Sequence, residues 1–419
     1  MKITIVGAGL LGVTSAYFLA KDGHEVTVVD RQEGPALETS FANAGMLTPS
    51  MSDPWNSPGI LGTVVKNLGN PASGFLLRLK ALPSLIGWGL QFLLKSSEKQ
   101  FLKNMHVSAD MSCYSVGILN ELREELNLKY DALNTGAMKI FRNQSSMDEY
   151  AKLARHLGEH NMQYQIVTPD ELVEIEPSLE TIKDELCGGI YYPDDEAGNA
   201  YKYTIELAKH AETMGVNFRY GVTVERIIRN GSNIEKLITS DGDLTADKYV
   251  LCAGSFSPLL ARDVGLNVPV RPAKGYSISV PITGWNMGPK MPIVDDDFHG
   301  AITPLGNTLR IAGTAELTGY DDTLTQSRID NLYNFLEGIY PDLSAGIKKV
   351  DVAEWSGFRP MTTDGVPIIG ETPIQNLYLN TGHGPLGWTM AAGSAKMLSD
   401  LIAERQTVLN SKNYSFARF

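Results

Sequence analysis

Cysteine is scarce. Cys113, Cys187 and Cys252 stand alone, with no C-x-x-C pair. That excludes a redox disulfide, a cysteine-built metal site and the disulfide framework of a small secreted protein. Buried thiols are expected instead. No stretch reaches the roughly 18–20 consecutive apolar residues that a membrane-spanning helix needs. Positive charge is in deficit: 36 basic against 48 acidic residues leave a net charge of −12. This is the wrong sign for a phosphate-backbone binder, so nucleic acid is not an expected partner. His156 and His160 are four apart in a helical stretch, a spacing that suits a metal pair, but no H-E-x-x-H motif accompanies them. A solvated helix face is expected there, and no metal site is assigned. No apolar leader precedes the first apolar run, so an intracellular amino end is expected.

What is present begins at Met1–Arg31. Lys2–Val6 is a short β-branched run that reads as a buried strand. Gly7, Gly9 and Gly12 follow as G-x-G-x-x-G, a helical pattern runs from Leu10 to about Lys21, and Glu25–Val29 reads as a second strand closed by Asp30. The βαβ context of about 30 residues raises the glycine motif from weak to specific. Gly7 permits the tight turn, Gly9 permits close approach to a pyrophosphate, and Gly12 permits close packing of helix on strand. The helix start offers N–H groups and a positive dipole end to phosphates. Asp30 is placed to accept from a ribose 2′-OH, which disfavours a 2′-phosphate.

Further along, Ser40–Met46 (SFANAGM) is small and polar, suited to close approach to a cofactor. Gly74–Leu94 is rich in Leu, Ile, Trp and Phe, and its uncharged part, Ala81–Leu94, is interrupted by Pro83 and flanked by Arg78, Lys80, Lys95, Lys99 and Lys103. It reads either as a pair of core or domain-interface helices or as a segment lying in a membrane interface. Lys95–Lys129 is helical, with Leu119, Leu122 and Leu126 as a core stripe. Ser146–Asn161 reads as a helix capped by Ser146 with Glu149 three residues on. The acidic run Asp194–Glu196 reads as a solvated loop, and Leu244–Cys252 as a strand ending in Ala253-Gly254-Ser255. Val268–Pro281 and His299–Thr314 alternate like strands of a separate antiparallel sheet.

Two late stretches carry chemistry. In WSGFRPMTTDGVPIIG (355–370), Arg359 sits among apolar and turn-forming residues. A charge there is costly to bury unless an anion meets it, and a guanidinium binds a carboxylate bidentately. A salt bridge to Asp364 is the alternative. After the strand Leu377–Asn380 comes TGHGPLG (381–387), a second glycine-rich loop running into an apolar helix. Backbone N–H groups and a helix dipole there can stabilise negative charge. A nicotinamide needs no such site, whereas a reduced flavin does. Two glycine-rich helix starts therefore point to FAD.

The segments GHEVTVVDR, ALETSFANAG, KGYS, GFRPMTTDGVPIIG and NTGHGPLGWTMAAGS together resemble the D-amino acid dehydrogenase small subunit family, within the D-amino acid oxidase-like flavoproteins. The likeness covers nearly the whole chain. It implies an α/β (α+β) fold: a Rossmann-like FAD-binding domain with a discontinuous second domain built on an antiparallel β-sheet. The first is expected from residues 1–60, 145–185, 200–260 and 350–419. The second is expected from 61–144, 186–199 and 261–349, with 74–94 as the membrane-contact candidate.

The resemblance implies that the strand end and turn Val6, Gly7, Ala8, Gly9, Leu10, Leu11 and Gly12 hold the pyrophosphate, with Asp30 and Arg31 at the adenosine. Ser40, Asn43, Ala44, Gly45 and Met46 would continue the cofactor site, and Val224, Ala253 and Gly254 would flank the adenine. Gly357, Gly382, His383, Gly384, Leu386, Gly387, Trp388 and Thr389 would lie along the flavin. Arg359 would hold the substrate carboxylate, with Tyr276 and Lys274 as further catalytic candidates. Pro385-Leu386 stands where related oxidases often carry Gly-Tyr. The implied activity is oxidative deamination of D-amino acids, with electrons passed to a respiratory acceptor such as a quinone. The implied setting is cytoplasmic, peripheral on the inner face of the cell membrane. Oxidation of glycine, sarcosine or proline-type secondary amines remains open, as does a non-catalytic flavin-binding role.

Overall fold

A computed structural model describes residues 1–62, 73–285 and 287–419. Residues 63–72, part of the stretch assigned to the second domain, lie outside that set. Strand β1 (Lys2–Val6), helix α1 (Leu10–Lys21) and strand β2 (Glu25–Val29) form where the sequence predicts them. They sit in a six-stranded sheet ordered Ile368–Glu371, Leu377–Thr381, Lys248–Leu251, β1, β2, Asn217–Arg219. Every neighbouring pair is parallel except the antiparallel edge pair Ile368–Glu371 and Leu377–Thr381.

A parallel sheet must be covered on both faces, and alternation along each strand supplies both covers. Ile3, Ile5, Val250 and Tyr378 pack with α1 and the helices Ala200–Thr213 and Gly387–Ile402. Val6, Tyr249, Leu251, Leu377 and Leu379 pack beneath a small antiparallel layer carrying Ile227, Ile234 and Leu237. Helix and strand meet closely at Gly12, where an added Cβ would lie 1.8 Å from the Gly7 carbonyl oxygen.

The second sheet has nine strands. Its edge nearest the first sheet is formed by β3 (Val270–Pro281), β4 (Thr308–Leu317) and β5 (Ala353–Thr362), with β3 antiparallel to both others. Helix Gln326–Ile339 covers one face, seating Ile329, Leu332 and Phe335 on Ile278, Ile302 and Ile311. The predicted His299–Thr314 run divides into Gly300–Leu305 and β4, because Gly306 adopts φ +60° in a two-residue turn between them.

Several expectations change. The segment 145–185 associates with the large sheet: helix Gln144–Gly158 places Met147, Ala151 and Ala154 against Phe141, Ile190 and Tyr192, and Gln165–Val167 is a strand of that sheet. β5, from the 350–419 segment, lies in the large sheet as well. Helix Glu98–Leu126, from 61–144, instead packs Met111, Leu119 and Leu122 into the core beside α1. An apolar stripe says that a helix is covered, not which sheet covers it. Asn143 rather than Ser146 caps the 144–158 helix, its side-chain oxygen accepting from the Ser145 and Ser146 N–H groups. Asp195 and Glu196 are buried rather than solvated: Asp195 accepts from the Ser50 hydroxyl at 2.5 Å, and Glu196 pairs with Arg123 at 2.8 Å. His156 and His160 both lie against His106, with ring centres 6.2 and 4.8 Å from it, and His160 is the one bonded to it. His160 Nε2 lies 2.5 Å from His106 Nδ1 and its Nδ1 lies 2.8 Å from Asp110.

Gly74–Leu94 forms a short strand, a 3-10 turn (Leu79–Ala81) and one α-helix, α2 (Leu82–Leu94). Pro83 does not interrupt α2. It occupies the first turn, where a missing N–H costs nothing. Leu85 and Trp88 face inward, while Leu82, Ile86, Leu90, Leu93 and Leu94 are exposed. Among the described residues no helix is long and apolar enough to cross a membrane. The Gly12 packing predicts that Gly12→Ala lowers stability by about 1–3 kcal/mol, read as a lower urea midpoint.

Candidate active site

A cavity of about 410 Å³ runs between the two sheets. At one end lie Gly7, Gly9, Leu10 and Leu11 from the β1–α1 turn, with Asp30, Arg31 and Gln32 from the end of β2 and Val222–Val224 beside them. At the other end lie Gly275 and Tyr276 of β3, Ala312 of β4, and Trp355, Gly357 and Arg359 of β5. His383, Gly384, Pro385, Gly387 and Trp388 form a wall between, at the start of the C-terminal helix.

The nucleotide end follows from local geometry. Gly7 has φ +107°, and a Cβ there would lie 2.7 Å from the Cys252 carbonyl oxygen, so the turn admits no side chain. Asp30 ties the turn to β2, one oxygen accepting from Ala8 N–H at 2.5 Å and the other from Gln32 N–H at 2.8 Å. Each oxygen keeps a further lone pair. The N-cap residue Gly9 has no side chain, and Ser40 Oγ accepts from Leu10 N–H at 3.1 Å, so the other N–H groups of the first turn keep anion-binding character. Arg31 stacks on Phe256 with its guanidinium carbon 4.0 Å from the ring centre, and pairs with Glu38 at 2.6 Å.

The opposite end is built on a bulge. Between Lys274↔Glu316 and Tyr276↔Gly313, two residues of β4 face the single residue Gly275. Thr314, in the bulge, adopts φ +55°. Its carbonyl accepts from Arg359 Nη1 at 2.9 Å. Among the described residues no carboxylate pairs with Arg359. Burial alone pulls its pKa down to about 10, so it stays cationic at neutral pH. Asp364, the alternative partner, is held by Arg418 at 2.9 Å and Lys95 at 3.4 Å.

A family model for FAD dependent oxidoreductases (DAO) matches residues 2–401. The chain belongs to that family. It is 40% identical over 419 residues to a D-amino acid dehydrogenase of Allorhizobium ampelinum, covering 100% of this chain and 99% of the relative. It is 42% identical over 421 residues to a D-amino acid dehydrogenase of Paramagnetospirillum magneticum, with the same coverage. Glycine oxidase from Geobacillus kaustophilus has the same fold, with a TM-score of 0.78 at 23% identity, covering 100% of this chain and 98% of that one. L-proline dehydrogenase from P. horikoshii follows at a TM-score of 0.77 and 19% identity, again covering 100% and 98%.

The residues present fit FAD. In helix Gly387–Ile402, as in α1, the N-cap residue makes no side-chain cap, and both helix starts open on one cavity. In the wall between them, buried His383 has Nε2 2.9 Å from the Ser394 hydroxyl, while its Nδ1 has no protein partner. An orphaned buried ring nitrogen is what a polar cofactor edge can satisfy. Other expected cofactor residues stand one layer behind the lining. Ala8 and Gly12 shape the turn. Gly45 accepts from Gly198 N–H at 2.7 Å, and Met46 pairs with Ala197. Gly382 turns the chain with φ +80°. Leu386 lines a small neighbouring cavity, and the Thr389 hydroxyl accepts from Thr48 N–H at 3.1 Å.

Lys274 lies away from the cavity lining. Its ammonium donates to the Asp321 and Thr323 carbonyls at 2.9 and 2.8 Å and lies 3.6 Å from Glu316. The Tyr276 ring lines the cavity, but its hydroxyl donates to Glu316. Both polar groups are therefore committed to a buried network with Arg78. Sequence reasoning missed Arg310, which is buried and donates to the Asn43 carbonyl at 2.7 Å, fixing the loop along the cavity with Ser277, whose hydroxyl donates to the Ala42 carbonyl at 2.7 Å. It also missed Thr314, because a bulge leaves no mark in one strand read alone.

Burial pulls the His383 pKa from 6.5 down to about 3. The unfolded chain therefore takes up this proton first, and the contribution is lost as pH falls below 6.5. Asp195 opposes it: burial pushes that carboxyl up to about 7, so it favours the folded state as pH falls. The test is therefore a difference. Relative to wild type, His383→Asn should gain about 1.4 kcal/mol per pH unit below 6.5, measured by urea unfolding from pH 7 to 4.5.

Proposed function

We propose that this flavoenzyme oxidises D-amino acids to 2-oxo acids and ammonia. The observation that carries the reading is Arg359: an enclosed cation without a counter-ion at the end of the cavity opposite the nucleotide turn. A bidentate guanidinium–carboxylate pair offsets its desolvation. The dehydrogenase names of relatives at 40–42% identity support the same substrate class.

FAD, when bound, supplies the two-electron acceptor for the substrate's Cα–H. The chain's residues supply position. Arg359 holds the carboxylate, and the Thr314 carbonyl fixes the plane of its guanidinium. Among the described residues no acidic side chain lines this end, so the substrate amine gives up its proton to water before it reacts. Neutral His383 adds no charge to the wall. Positioning in a water-poor, apolar pocket does most of the work. The imino acid leaves and hydrolyses in water.

We further propose that α2 rests on a membrane surface, from which a quinone takes the electrons. Leu82, Ile86, Leu90 and Leu94 form an outward face at helical spacing, and exposed Lys99 and Lys103 follow it, a pattern that suits an anionic bilayer interface. Inward, Trp88 donates to the Met361 carbonyl at 3.2 Å and packs in the cluster that includes Trp55. The Trp55 ring centre lies 5.7 Å from the Arg359 guanidinium carbon, so the substrate end of the cavity is close to this helix.

Anaerobic titration of the yellow enzyme with D-amino acids, L-amino acids, glycine, sarcosine and proline tests substrate class and stereochemistry together. D-amino acids should bleach the flavin, and bleaching only by secondary amines or glycine would replace the reading. Arg359→Leu should raise KM for D-alanine about 10–100-fold while FAD stays bound; an unchanged KM removes Arg359 from this role. Wild type should float with vesicles containing phosphatidylglycerol, and the double variant Ile86→Asp/Leu90→Asp should remain in the dense fraction.

A further inference from the structure

Directly opposite each other on β3 and β5 stand two glycines, Gly275 and Gly357. Neither is needed for backbone conformation, since neither has a positive φ. Each is needed for what lies on it. A Cβ on Gly275 would fall 2.3 Å from Nη1 and 2.5 Å from Cζ of Arg359. A Cβ on Gly357 would fall 2.1 Å from Cη2 and 2.5 Å from Cζ2 of Trp355. Arg359 and Trp355 flank Gly357 along β5 and share its face of the sheet. Both side chains therefore fold inward over the bare glycine pair. Paired residues of neighbouring strands lie about 5 Å apart, so the guanidinium and the indole lie side by side as a flat floor to the cavity.

The two halves of that floor differ in chemistry. The guanidinium takes a carboxylate. The indole is an apolar face, and the lining at this end includes Ala312, Pro360 and the ring of Tyr276. Asp30, Arg31 and Glu38, the other charged residues among the described lining, sit at the nucleotide end. Among the described residues a second carboxylate on a substrate finds no second cation here, and an ammonium finds no acid, so either would be desolvated without a partner.

We propose that the Gly275–Gly357 pair is the specificity-setting seat of the site. Gly275 lays Arg359 flat for the α-carboxylate, and Gly357 lays Trp355 flat as the surface that receives the substrate's side chain. The preferred substrates are amino acids with neutral, apolar side chains. This rests on the amino-acid reading above and deepens it. Gly275 and Gly357 are positioning residues, acting through Arg359 and Trp355.

The test uses FAD-loaded wild type, Gly275→Ala and Trp355→Leu. Substrates are D-alanine, D-methionine, D-phenylalanine, D-glutamate and D-lysine. Acetate and phenylacetate serve as non-reacting probes, followed by the flavin absorbance. Wild type should favour D-methionine over D-glutamate and D-lysine at least tenfold in kcat/KM. Gly275→Ala should raise KM for every substrate, and the Kd of both probes, at least tenfold. Trp355→Leu should lose at least tenfold more with D-phenylalanine than with D-alanine, and at least tenfold more with phenylacetate than with acetate.

Equal use of charged and neutral side chains by wild type overturns the proposal, as does a uniform loss in Trp355→Leu. An unchanged KM in a folded Gly275→Ala protein also overturns it; if that variant does not fold, Trp355→Leu still decides. With flavin reduction by D-amino acids intact, any of these results sinks the seat alone. Failure of every amino acid to reduce wild type sinks the amino-acid reading and the seat together.

Discussion

A guanidinium enclosed without a counter-ion is the constraint around which this structure closes. Such a charge is expensive unless an anion arrives, so the fold must hold it while no anion is bound. It does so by local means. The bulge between β3 and β4 turns the Thr314 carbonyl toward Arg359, and the Thr314 backbone takes a left-handed conformation that a β-branched residue rarely adopts. β5, which carries Arg359, reaches toward the other sheet: the Phe358 carbonyl accepts from the hydroxyls of Thr39 at 3.0 Å and Ser255 at 3.3 Å. The residue before the cation is thus tied to loops that line the nucleotide end. Position of the anion site and position of the cofactor loops are not independent.

Charge is segregated along the cavity. Asp30, Arg31 and Glu38 satisfy one another or the backbone near the β1–α1 turn. Among the described lining residues Arg359 alone supplies charge at the far end, and His383 in the wall between is held neutral by burial. A chain with net charge −12 therefore presents a locally positive end of its cavity to a carboxylate.

The parts of the site legible in the sequence were those written in consecutive residues. The β1–α1–β2 unit is local, and its glycines carry their reasons with them. Arg359 stood out because a cation among apolar and turn residues demands an explanation. The glycine loop before the C-terminal helix was visible for the same reason as the first. What depended on distant pairing was not legible. Lys274 looked chemical beside Gly275 and Tyr276, yet its ammonium is consumed by the Asp321 and Thr323 carbonyls. Asp195 sits in an acidic run that reads as solvated, but Ser50, far away in the chain, makes its burial tolerable. Helices 98–126 and 144–158 each advertise an apolar stripe, and nothing in a stripe names the sheet it will cover.

The threading of the chain has a consequence for how the molecule comes into being. β1 has β2 on one side, but its other neighbour is Lys248–Leu251, and beyond that lies Leu377–Thr381. Ile3 therefore waits for Lys248, and the strand after that waits for nearly the whole chain. Closing loops this long before any contact rewards them slows assembly. During synthesis on the ribosome the β1–α1–β2 unit is made well before its sheet neighbour, leaving the apolar edge of β1 in need of protection until Lys248–Leu251 arrives.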